Sequence, residues 1–137
     1  MANTLRLEIV TPLEKAYSEE VQRVVIPGIE GEMGIYPQHI PVMTEIKPGV
    51  LRILKDGVET DFAVGEGFAE ITQTHVTVLT DMAIEGSAID ERAVEKAIER
   101  AQAALRNTEA MNAEEIAIAE ATLRKAMVQL RVKRHQR

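Results

Sequence analysis

Cysteine is missing from all 137 residues of the chain. That excludes a disulfide framework, Cys-ligated zinc, an iron–sulfur cluster and a cysteine nucleophile. A cationic excess is missing too: the net charge of −6 and a pI near 5.1 argue against a protein that coats nucleic acid. No apolar run approaches the ~18 residues of a membrane span, and the start, Met1 to Glu8, shows no signal-peptide core. The expectation is a soluble intracellular protein, built as one compact domain with an appendage or as two small units.

A second set of absences is local. From Ser87 to Arg137 there is no glycine, proline or aromatic residue in 51 positions, and 12 of the 51 are alanine. All eight glycines, all five prolines and the four aromatics (Tyr17, Tyr36, Phe62, Phe68) lie at or before Gly86. Charge divides at the same point. Residues 1–86 hold 6 Lys+Arg against 14 Asp+Glu, a net −8, while residues 87–137 hold 10 against 8, a net +2. Gly and Pro punctuate short strands and turns, and alanine without them belongs to long helices. The expected fold is therefore α+β: a β domain over 1–86 followed by a helical hairpin over 87–137.

In the first part, Leu5, Leu7 and Ile9 alternate with Thr4, Arg6 and Glu8, the pattern of a half-buried strand. Val21, Val24, Val25 and Ile26 form a second apolar run ended by Pro27-Gly28, and the unalternating Val24-Val25-Ile26 reads as a crossing through the core. Val50, Leu51, Ile53 and Leu54 lead to Asp56-Gly57, a favoured type I′ hairpin pair, with Val58 to Val64 as the return strand. Phe68 to Gln73 and His75 to Thr80 follow, separated by a turn. Short strands at this spacing indicate an antiparallel β-sandwich or barrel.

No catalytic constellation accompanies them. His39 lies in a Pro-flanked loop, His75 at a hairpin turn and His135 in the basic tail, which is not a clustered metal-ligand set. Gly28, Gly31 and Gly34 give G-x-x-G-x-x-G, neither a dinucleotide nor a phosphate-loop fingerprint, and they precede no helix. The acidic residues are scattered. An enzyme is not expected.

The second part reads as two antiparallel helices. Asp90 is an N-cap with Ile89 as its hydrophobic staple, and Val94, Ile98, Ala101 and Leu105 follow at helical spacing. Asn107 to Met111 is the turn, and Asn112 with Glu115 resembles a capping box. In the second helix Ile116, Ala119, Leu123, Ala126 and Leu130, with Met127 alongside, would face the first. Ile118, Ala121, Val128 and Val132 fall on almost the opposite side. A helix apolar on two faces needs two neighbours, here the β unit or a protein partner. Its end is strongly basic: Arg124, Lys125, Arg131, Lys133, Arg134 and Arg137, with no acid after Glu120. Dipole compensation accounts for the last turn only, and the aromatics that nucleic-acid stacking would use are absent.

The segment from Gly31 to Ile53 reads G-E-M-G-I-Y-P-Q-H-I-P-V-M-T-E-I-K-P-G-V-L-R-I. It closely resembles the epsilon subunits of F-type ATP synthases, in which a G-E-[LM]-G-I-x-P-x-H-x-P loop leads into a strand, an I-K-P-G turn and a further strand. Gly65 to Ala83, G-x-G-F-A-E-I-x-x-x-x-V-T-V-L-T-D-M-A, resembles the same family's final strands. Any one motif is weak, but their order, spacing and agreement with the compositional division carry the resemblance over nearly the whole chain.

The resemblance implies a non-catalytic central-stalk subunit of a rotary, proton-translocating machine, peripheral on the cytoplasmic face of a bacterial inner membrane. The absence of a transit peptide favours that face over an organelle. The implied partners are the gamma subunit, the c-subunit ring and the catalytic beta subunit, with alpha left open as a further one; neither nucleic acid nor direct membrane insertion is expected. Glu32 would face the c ring, and His39 would lie in the same foot region. Arg124, Lys125, Arg131, Lys133 and Arg134 would meet an acidic segment of beta when the hairpin extends, and so oppose ATP hydrolysis. Some relatives bind ATP between the folded helices through a motif beginning I/L-D-x-x-R-A. Here Asp90 and Arg100 match, but Arg92 stands one residue, ~100° of helix, away from the motif arginine. Ile84 replaces an acid, and Ala93, Lys125 and Gln129 replace arginines. Weak ATP binding or none is expected, and no cofactor. The alternatives are an ATP-binding sensor module and a generic sandwich-and-hairpin adaptor.

Overall fold

A computed structural model describes residues 3–135; Arg137, the last cation of the basic tail, lies outside them. Ten strands are present among the described residues: β1 (Leu5–Val10), β2 (Lys15–Val21), β3 (Arg23–Gly28), β4 (Gly31–Ile35), β5 (Val42–Ile46), β6 (Gly49–Lys55), β7 (Val58–Val64), β8 (Gly67–Ile71), β9 (His75–Thr80) and β10 (Ala83–Glu85). A 3-10 turn at Gly86–Ala88 leads to α1 (Glu91–Arg106) and α2 (Ala113–His135). The first layer runs β10-β7-β6-β3-β4 and the second β5-β8-β9-β1-β2. They are joined where Gly28 of β3 meets Ile46 of β5. The architecture is an N-terminal β-sandwich followed by a two-helix hairpin.

Alternation places the core. Leu5, Leu7 and Ile9 of β1, Val24 and Ile26 of β3, Leu51 and Ile53 of β6, and Val76 and Val78 of β9 fill the space between the layers. The Val24-Val25-Ile26 run is corrected by its burial: Val25 points to the outer face and is only half-buried, so β3 alternates after all. Pro27-Gly28 ends that strand from within, since both residues still pair with β4 before the chain turns. Antiparallel pairing has one exception, β1 running parallel to β9. The Asp56-Gly57 turn has φ of 52° and 79°, as a type I′ hairpin requires.

Four strands carried no periodic signal. β2 is an edge strand whose Lys15, Glu19 and Glu20 face water, a composition that blunts edge pairing. Lys15 donates to Glu8 across the β1–β2 pair at 2.8 Å and holds that carboxyl below its usual range. β4, β5 and β10 have three to five residues, too short for a repeat to show.

The helices begin as the local chemistry directs. Asp90 accepts a hydrogen bond from the Ala93 amide at 3.2 Å, and Ile89 packs in one apolar cluster with Val94, which is the staple arrangement. Asn112 and Glu115 exchange side-chain-to-amide hydrogen bonds of 3.2 and 2.8 Å, a closed capping box. The two faces of α2 are used unequally. Val128 and Val132 sit with Val50 of β6 and Ala63 of β7, so the second stripe packs on the sandwich. Earlier on the same stripe Ile118 remains 60% exposed, and Met127, expected beside α1, is 52% exposed.

Candidate interaction surfaces

The outer face of the first layer decides where α2 lies. Ala63 stands opposite Val50 on β6 and opposite Ile84 on β10, making a short apolar strip in an otherwise charged face. Val132 and Val128, four residues apart on one side of α2, cover it. Polar groups fix the helix along its length. Arg124 faces Glu66 at 3.7 Å, and Lys125 meets Asp81 at 2.8 Å. Gln129 donates to the Met82 sulfur at 3.1 Å, and Lys133 donates to the Gly86 carbonyl at 3.4 Å. Arg134 turns to Glu91 of α1 at 3.6 Å. His135 Nδ1 stands 3.3 Å from Asp61, a nearly buried carboxylate that also lies opposite Arg52 across the β6–β7 pair.

Four of the five basic residues singled out in the sequence are therefore engaged within the chain: Arg124, Lys125, Lys133 and Arg134. Arg131 has no ion pair or hydrogen bond among the described residues and borders a recess with Glu32, Lys47 and Arg52. Sequence reasoning missed the acidic side of these contacts. Glu66 and Asp81 lie in separate turns, β7–β8 and β9–β10, and only the fold brings them under one helix. His135 also belongs here rather than to a free tail.

Glu32 lies in β4, a strand and not a loop, with a side chain 63% exposed and 3.9 Å from Arg52. His39 is in the loop after β4, where Nδ1 is 2.7 Å from the Ile40 carbonyl. No hydrogen bond or ion pair joins Glu32 to His39, which follows the other end of β4. Around the ATP-motif positions there is a cavity of about 210 Å³ whose wall includes Ile84, Asp90, Ala93, Val94, Ala97 and Gln129. Small-molecule sites run to ~300–1,000 Å³, and this wall supplies one carboxylate and no cation. The Asp90 side chain is occupied by the helix cap, Lys125 by Asp81, and Arg100 is not in the wall. Among the described residues no three His, Asp or Glu side chains are placed to hold a metal ion.

Residues 4–86 match the family model described as ATP synthase, Delta/Epsilon chain, beta-sandwich domain. An ATP synthase epsilon chain of Herpetosiphon aurantiacus is 40% identical over 133 residues, covering 97% of this chain and 96% of that one. The chain belongs to the ATP synthase epsilon-chain family. An epsilon chain of Chloroflexus aggregans is 44% identical over 128 residues, 93% of this chain and 91% of its own. As an epsilon chain the protein is a non-catalytic subunit. The fold extends to distant structures: a chain of the Euglena gracilis mitochondrial ATP synthase, solved as OSCP/F1/c-ring in rotational state 1, superposes with a TM-score of 0.76. It is 23% identical, with 93% of this chain and 79% of that chain covered. Among the described residues, no helix of this epsilon chain is long and apolar enough to cross a membrane.

Proposed function

We propose that the chain works in the central stalk of a proton-translocating ATP synthase on the cytoplasmic face of a bacterial inner membrane. Its sandwich, residues 1–86, joins the gamma subunit to the c ring, and its hairpin, residues 87–137, restrains ATP hydrolysis. Family membership supports the stalk role. The observation that carries the restraint is the double commitment of the basic run: cations that would grip an acidic segment of the catalytic beta subunit are held, in the docked hairpin, by Glu66, Asp81, Glu91 and a backbone carbonyl. Docking and gripping use the same charges, so the two states exclude each other. Exposed ion pairs are worth only ~0–1 kcal/mol each, and the apolar strip beneath α2 is short, so release is within reach of ordinary binding energy.

Glu32 suits a polar ring contact because it is held only loosely by Arg52 and projects into water. His39 lies past the opposite end of β4, where Gln38 donates to the Gln73 carbonyl, and is the weaker candidate. The small, cation-poor cavity between the helices favours a subunit that responds to its protein partners rather than one that senses ATP.

Two forms of the complex test the reading. Deleting residues 88–137 should leave assembly intact and raise hydrolysis. Joining Arg124→Cys to Glu66→Cys with a short bismaleimide, in a chain with no other cysteine, should hold the hairpin down and give the same high rate. Unchanged hydrolysis in both would rule out the restraint while leaving the stalk assignment standing.

A further inference from the structure

Arg131 stands at a recess of about 460 Å³ between α2 and the first layer of the sandwich. The other charged side chains in its wall are Lys47, between β5 and β6, Arg52 of β6 and Glu32 of β4. Lys47, like Arg131, has no ion pair or hydrogen bond from its side chain among the described residues. Arg52 is poorly satisfied: Glu32 is 3.9 Å from it and Asp61 3.8 Å, and its buried Nε has no hydrogen-bond partner. A desolvated guanidinium N–H without an acceptor is unfavourable. Glu32 is the one carboxylate in the wall, and Asp61 behind Arg52 is shared with His135. Three cations thus surround a partly enclosed space with a single acid, and Gly31, where a Cβ would meet no atom within 4 Å, leaves backbone open to close approach.

We infer that this recess is an anion site for a small, multiply charged oxyanion of the phosphate type. Arg52 and Arg131 present planar forks suited to tetrahedral oxyanions, and Lys47 adds a point charge. The wall contains none of the four aromatic residues and offers no surface on which a nucleobase would stack. Recognition therefore rests on the phosphate group itself. An oxyanion here takes the exposed end of the Arg52 guanidinium from Glu32 and leaves its buried Nε facing Asp61. Because Arg131 belongs to α2 while Lys47 and Arg52 belong to the sandwich, the bound anion bridges the two and holds the hairpin docked.

The test is a nuclear magnetic resonance titration of the full chain with inorganic phosphate and, separately, with diphosphate, at ionic strength matched by sodium chloride. Both should give saturable shifts at the side chains of Lys47, Arg52 and Arg131, with diphosphate the tighter because its charge is higher. Lys47→Gln and Arg131→Gln remove exposed side chains without internal partners and leave the fold in place; each should weaken binding about tenfold, the order of one lost charge-assisted contact. Arg106→Gln, at the far end of α1, should bind as the parent does. Diphosphate should also slow amide exchange in the last turns of α2, and Arg131→Gln should abolish that slowing. Shifts that track chloride equally, or affinities unchanged in both Lys47→Gln and Arg131→Gln, would overturn the site.

Discussion

Single atoms decide two features of the sandwich. A Cβ built on Gly67 would lie 1.8 Å from the Leu79 carbonyl oxygen, in the backbone of the neighbouring strand, so no side-chain movement can relieve it. Gly67→Ala should destabilise the chain by about 1–3 kcal/mol, the range for forced overpacking, read from the midpoint of urea denaturation. Tyr17 is set by its surroundings in another way. Its ring meets Phe62 edge-on at 5.6 Å across the layers, and burial, with a smaller contribution from Glu85, pushes the phenol above its ordinary value of 10.0. Up to that pH the phenol is neutral in folded and unfolded chains alike. As pH rises further the unfolded phenol ionises first, and stability falls until the folded one ionises too. Tyr17→Phe should remove that alkaline loss. Tyr36→Phe leaves Tyr17 as the sole tyrosine, whose phenolate absorbance should then titrate above 10.

Helix ends and helix faces were unequally legible in the amino-acid order. Asp90, Ile89, Asn112 and Glu115 act through neighbours three to five residues away, and such local chemistry can be read without knowing the fold. Asn112→Ala should cost α2 about 1 kcal/mol, visible as faster amide exchange at Glu115. The alternating strands β1 and β9 were equally plain, and β7 was legible as the return strand after the Asp56-Gly57 turn. β2, β4, β5 and β10 were not, because edge position and brevity erase the period that a buried strand displays. The two apolar stripes of α2 could be counted, but the side that Met127 would take could not. α1 runs past it, with Ile98 and Met127 bordering one recess and Glu91 reaching Arg134, so its exposure is a matter of packing and not of spacing. The apolar strip has its own test. Val132, fully buried against the sheet, should tolerate no carboxylate: Val132→Asp should free α2 to proteolysis while the sandwich keeps its denaturation midpoint.

The charge division between the two parts, −8 before Ser87 and +2 after, was visible as a sum and silent as geometry. The partners were legible on the basic side, where Arg124 and Lys125 are adjacent, and illegible on the acidic side, where Glu66 and Asp81 meet only through the fold. The whole molecule turns that sum into a contact that ought to depend on salt. Solvent-exposed pairs are screened once the Debye length falls to ~10 Å, near 0.1 M, so docking of the hairpin should weaken from low to high ionic strength. Screening alone does not name the pair responsible; a charge exchange does. Lys125→Asp sets two carboxylates against each other and should speed amide exchange through residues 126–134. Adding Asp81→Lys restores an opposite-sign pair at the same place and should return exchange most of the way to the parent rate. A double variant no slower to exchange than the single one would show that Lys125 and Asp81 are neighbours without being a clasp. Docking would then rest on the apolar strip under Val128 and Val132 and on the contacts of Arg124, Gln129 and Lys133.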